Sequence, residues 1–265
     1  MRFITGIGCA LLLTGLTACG SQAGTTDTSN ATATSTAVAA APSPADRLCG
    51  DPQLNDKQVA FAGQGGTFLA GYALGEGNVT LVLAPQASAT GCSWLGWAKQ
   101  KAAAGYRVLA FDFNGEGRSR RAETGTNSGD VAAAAAFARA KGGRGVVLIG
   151  ASRGATATLV AGARLEPPAT AVISLSGPDS YAGESALRAV ARLSVPVLYV
   201  AATGDGSFAT AAQAMYDATP GDQRTLSMVP GRQHGTALLT VTDDGTADAT
   251  RAVDDFLANN APPKG

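Results

Sequence analysis

Histidine is almost missing from this chain: a single one, His234, occurs in 265 residues. That argues against a zinc site. Neither CxxC nor a Cys/His metal spacing appears either, so no metal and no cofactor is expected. Charged residues make up only 15% of the chain, and the two signs balance, with Lys+Arg and Asp+Glu at 20 each. There is no basic block and no basic stripe interleaved with aromatics, so nothing speaks for nucleic acid. What the chain does have is apolar residues, 45% of the total. Disorder throughout is thereby excluded, a sizeable core is available, and one domain is the expectation. The partner expected is a small molecule or another protein.

Only the amino terminus carries a long apolar run. In MRFITGIGCALLLTGLTACGSQ a basic residue precedes an apolar stretch from Phe3 to Ala18. That stretch is short of the ~20 residues needed to cross hydrocarbon, and it reads as a secretory signal. Leu16-Thr17-Ala18-Cys19, followed by Gly20 and Ser21, resembles the lipobox of bacterial lipoprotein signals. The resemblance implies removal of residues 1–18, lipid modification of Cys19, and an extracytoplasmic protein held to the bacterial membrane by that lipid. A simple secreted protein is the alternative. Residues 19–44 are rich in Thr, Ser and Ala without periodicity and read as a disordered tether, leaving 45–265 as the folded domain. Cys9 falls in the signal and Cys19 at the anchor. Cys49 and Cys92 are then left in an exported domain, where a disulfide between them is expected.

From residue 56 onward, short apolar runs alternate with longer Ala-rich segments. KQVAFAG and GTFLAGYALG read as an opening hairpin. NVTLVLA, YRVLAFDF, RGVVLIG, TAVISLS, VPVLYVAA and RTLSMVP read as strands buried on both faces. SWLGWAKQKAAAG, NSGDVAAAAAFARAKGG, SRGATATLVAGARL, GESALRAVARL, FATAAQAMYDA and TADATRAVDDFLANN read as helices. Such alternation predicts an α/β domain with a mostly parallel sheet and helices on both faces. In sheets of this kind, chemistry belongs just beyond the carboxyl ends of the strands.

Gly150-Ala151-Ser152-Arg153-Gly154 fits G-x-S-x-G. In a chain this rich in Gly and Ala the bare motif arises by chance, but here it stands where a buried strand meets a helix. A sharp turn at that junction exposes the hydroxyl, and side chains at the two glycine positions would strike neighbouring backbone. The N–H of Arg153, at the helix start, is placed to bind an oxyanion. A serine needs a base, and His234, after the last strand, is the only histidine available. A carboxylate must hold the imidazole. Asp205, at the end of VPVLYVAATG, is the candidate, with Asp179 after VISLSGP as its rival.

With these residues in view, the chain resembles an α/β-hydrolase over roughly residues 57–258. GASRG, GYRVLAFDFNGEGRS and VPVLYVAATGD carry the likeness. The resemblance implies Ser152 as nucleophile, His234 as general base and then acid, and Asp205 as its partner. It further implies a serine hydrolase of the carboxylesterase kind, acting on a small acyl substrate. A peptidase, another amide or dienelactone hydrolase, and a non-catalytic binding lipoprotein are the alternatives. Two departures stand out. Where the family usually has His-Gly after the third strand, this chain has Pro85-Gln86, so Gln86 or Ala87 becomes the second oxyanion donor. The segment GPDSYAGESALRAVARLS is long enough for one crossover helix but not for a separate cap. An open site is therefore expected, lined by loops within 86–94, 114–126 and 179–181. Trp94 and Trp97, at i and i+3, suit helix packing better than a pocket wall. Oligomeric state is not legible.

Overall fold

The computed structural model describes residues 49–263. The expected signal (1–18), the expected lipidation site Cys19 and the expected tether (19–44) lie outside the described residues, which belong to one compact unit. Strand β1 (Gln58–Ala62) pairs antiparallel with β2 (Phe68–Leu74), the expected hairpin. Then follow β3 (Val79–Ala84), β4 (Arg107–Phe111), β5 (Gly145–Ala151), β6 (Ala171–Leu175), a two-residue pair β7 (Ser180–Tyr181) and β8 (Glu184–Ser185), β9 (Val197–Ala202) and β10 (Arg224–Val229). Eight of these form one sheet in the order β1-β2-β4-β3-β5-β6-β9-β10, and β2 alone runs against the rest. Every strand of β3, β5, β6 and β9 is buried along most or all of its length, which accounts for their continuous Val/Leu/Ile/Ala runs. RTLSMVP departs from that expectation. It became β10, the sheet edge, and most of its residues are only half-buried or exposed because no further strand pairs beyond them.

Side chains alternate between two cores. Val82, Leu109, Leu148 and Val172 point to one face, where α2 (Asn127–Ala140), α3 (Arg153–Gly162), α4 (Ala186–Val190) and α5 (Ser207–Ala218) pack. Leu81, Leu83, Ile149 and Ile173 point to the other, against α1 (Leu95–Ala103), α6 (Ala237–Thr240) and α7 (Thr246–Asn260). Both tryptophans belong to this second core, Trp94 and Trp97 being fully buried with their rings 6.0 Å apart. They pack and do not line a site.

Helix α3 is buried on every side, Arg153 to Gly162. Its small residues make that possible: a Cβ on Gly162 would come within 2.8 Å of Val172 Cγ2. The N-terminus of α2 is capped by Thr126 Oγ1, which accepts from the N–H of Gly129 at 3.1 Å. Cys49 and Cys92 form the expected disulfide, tying the first described residue to the turn before α1. Between β6 and β9 the crossover is smaller than predicted. In place of a full helix it holds the β7–β8 hairpin and the five-residue α4, and no separate cap is present.

Candidate active site

Because β3, β5, β9 and β10 run parallel, the residues after them emerge at one edge of the sheet. Ser152 stands between β5 and α3 with φ 50° and ψ −116°, a left-handed backbone that a serine adopts only under constraint. The constraint comes from both sides. Ser152 N–H donates to Leu175 O at 2.8 Å, holding the turn to β6. Behind it, a Cβ on Gly150 would run into the backbone of Gly154, and one on Gly154 into the carbonyl oxygens of Ala84 and Pro85. Both glycines of the motif are therefore required by close backbone approach, as the sequence predicted.

That approach presses the exit of β3 against the start of α3, so Gln86 lies beside Arg153. Arg153 Nη2 donates to Gln86 O at 3.3 Å. As the first residue of α3, Arg153 has a backbone N–H without an intrahelical acceptor. Its side chain does not stand free for an anionic substrate. The guanidinium grips Glu116 with two bonds, at 2.5 and 2.6 Å, and lies 4.4 Å from the centre of the Phe113 ring. The pair is not the solvated surface bridge that a helix-start arginine suggests, for the arginine side chain is only 8% exposed.

Gln86 spends its side-chain oxygen on the opposite loop. Oε1 accepts from Thr236 N–H at 3.0 Å and from Thr236 Oγ1 at 3.2 Å. The β3 exit is thus tied to the loop that carries His234. Gly235, with φ 60°, lies directly under the amide, and any side chain there would collide with Gln86 Oε1.

Asp205, just beyond β9, and His234, just beyond β10, are brought together. Nδ1 of the imidazole lies 3.0 Å from each carboxylate oxygen. The Asp205 side chain is 7% exposed and that of His234 32%, so the acid is sheltered while the ring remains accessible. With Nδ1 facing Asp205, the other ring nitrogen points away from it. Phe208, one turn beyond Asp205, packs its ring 4.2 Å from the imidazole. The rival Asp179 is exposed, its carboxylate accepts from Ser180 Oγ, and the carboxylate that pairs with His234 is that of Asp205. No hydrogen bond links Ser152 Oγ to His234 among the described residues; in such sites this contact tightens as substrate binds.

Two supporting acids were not among the site residues expected from the sequence. Asp112, buried after β4, accepts from Gly91 N–H at 2.8 Å and Arg118 N–H at 2.9 Å, clamping the loop that presents Glu116. Burial outweighs these two bonds and raises its pKa. Asp130, in α2, accepts from Asn114 N–H at 2.8 Å. Its burial raises the pKa to about 6, against the opposing effects of that bond and of Arg153. Only a contact map separates such residues from surface acids. Among the described residues no group of three or more His, Cys, Asp or Glu side chains is placed to hold a metal ion, and no described helix is long and apolar enough to cross a membrane.

Comparison with known proteins agrees with this architecture. Residues 79–193 match the family profile described as the alpha/beta hydrolase fold. No curated protein matches the sequence. Among solved structures, the chain is similar to the esterase domain of a Rhodothermus marinus protein, at 18% identity and TM-score 0.60 over 76% of this chain and 97% of that one. It is similar also to a thermophilic esterase from Thermogutta terrifontis, at 15% and 0.63 over 76% and 98%. A monoacylglycerol lipase from Paleococcus ferrophilus aligns at 13% and 0.60 over 72% and 98%. Strand order, the single antiparallel strand and the strained serine turn thus all stand together: this chain has the α/β-hydrolase fold.

Proposed function

We propose that the protein is a serine hydrolase that cleaves carboxylic esters of small acyl substrates. One observation carries the reading. A serine forced into a strained strand-to-helix turn shares a sheet edge with a histidine whose Nδ1 is held by a sheltered carboxylate. Ser152 Oγ attacks the acyl carbon while His234 takes its proton, and Asp205 stabilises the imidazolium. The oxyanion forms against the N–H groups of Arg153 and of Gln86 or Ala87. The imidazolium then protonates the departing alcohol, and water, activated by the same histidine, releases the acid. The esterase and lipase names of similar structures support an ester as the bond cleaved. A peptide needs more gripping surface than an edge without a cap provides.

The setting we propose is extracytoplasmic, with Cys19 lipid-modified after loss of residues 1–18 and residues 19–44 acting as tether. The Cys49–Cys92 disulfide supports an oxidising compartment. The deciding experiment is labelling of the purified protein with a fluorophosphonate, read by intact mass. A single adduct that disappears in Ser152→Ala, together with turnover of short-chain nitrophenyl esters lost in His234→Ala, is expected. Absence of any adduct on folded protein overturns the proposal in favour of a binding protein.

A further inference from the structure

Away from the serine, a recess of about 430 Å³ opens between the far end of α3, the β7–β8 hairpin and α4. Three arginines line it: Arg164 from the turn after α3, Arg188 from α4, and Arg192 from the turn after α4. Arg188 and Arg192 stand one helical turn apart, so they share a face. All three are exposed. Among the described residues no carboxylate lies within ion-pairing distance of any of them. Among the described residues two other arginines do have a carboxylate partner, Arg153 in Glu116 and Arg251 in Asp248.

The recess contains one carboxylate, Glu184, and its charge is already used. Both of its oxygens accept from Ser128 N–H, at 3.1 and 3.2 Å, in the first turn of the 14-residue α2. Three positive groups thus face one concavity with one committed negative group at its rim. Holding like charges together is unfavourable unless an anion joins them. Guanidinium groups match phosphate oxygens with paired N–H donors, and a concave surface strengthens the attraction over that of isolated surface charges. The volume exceeds that of a bare phosphate and leaves room for a small attached polyol.

We infer that this recess is a binding site for a phosphate monoester or diester carried on a small polyol, either free or as the headgroup of an anionic phospholipid. Arg164, Arg188 and Arg192 hold the phosphate, and Thr126 borders the polyol end. Ser152, Asp205 and His234 are not among its lining residues, and binding there does not depend on what that serine does.

Titration calorimetry of the full-length protein with glycerol 3-phosphate, at fixed ionic strength, tests the free source. Flotation with vesicles of phosphatidylglycerol in phosphatidylcholine tests the lipid source. In either arm the arginines decide the outcome: each of Arg164→Gln, Arg188→Gln and Arg192→Gln should weaken binding ~3-fold, and the triple variant roughly 30-fold. The triple variant shares the parent's amino terminus, so membrane affinity residing there cancels in the comparison. Ser152→Ala should bind like the parent. Saturable binding in the first arm identifies a free phosphate ester, and arginine-dependent binding in the second alone identifies the headgroup. Absence of arginine-dependent binding in both arms, with the single variants melting as the parent does, overturns the inference.

Discussion

Asp130 offers a quantitative test of how the site is supported. The side chain is 1% exposed, one oxygen accepts from Asn114 N–H, and the other is buried without a partner. Desolvation dominates, Glu184 adds repulsion, and the pKa rises from 3.8 to about 6. The folded protein therefore holds this proton more tightly than the unfolded chain does. Between pH 3.8 and about 6 the folded state binds more protons, so Asp130's contribution to stability falls as pH rises through that window and stays low above it. The size of the effect follows from the shift, at about 3 kcal/mol for two pKa units. Asp130→Asn keeps an acceptor for Asn114 and removes the charge. We expect the variant to exceed the parent in stability by about 2 to 3 kcal/mol at pH 8, with the difference shrinking to under about 1 kcal/mol at pH 4. Urea unfolding from pH 4 to 8, followed by the fluorescence of the buried tryptophans, reads both numbers. A difference independent of pH, or a less stable variant at pH 8, would refute the reasoning.

Three further outcomes test other links. Gln86→Ala leaves the buried Thr236 N–H without its acceptor, which should cost about 1 to 3 kcal/mol; ester turnover should fall with it, and Gln86→Glu should restore both by supplying an oxygen. Gly154→Ala places a methyl group against the carbonyls of Ala84 and Pro85, so thermal melting should show a loss of about 1 to 3 kcal/mol even though alanine favours helix. Replacing Cys49 and Cys92 by serine opens a link spanning 43 residues; on a chain-entropy estimate the loss is about 4 kcal/mol, measured by denaturant unfolding against the parent.

The sequence alone determined the alternation of elements, because continuous Val/Leu/Ile runs and capped Ala-rich segments are local signals that burial then rewards. It also marked Ser152, since G-x-S-x-G at a strand-to-helix junction makes sense only where two glycines let backbones touch. A single histidine left no choice of partner. Other decisions lay beyond it. RTLSMVP reads like its buried neighbours, and only its place at the sheet edge left it partly exposed. Asp179 and Asp205 both follow strands, and only the spacing of β6, β9 and β10 across the sheet set Asp205 against His234. Gln86 reaching Thr236, Arg153 turning to Glu116, and three arginines meeting at one recess are contacts between segments far apart in the chain. Local patterns decide what each segment becomes, but which polar groups meet depends on how the completed layers bring distant loops to the same edge.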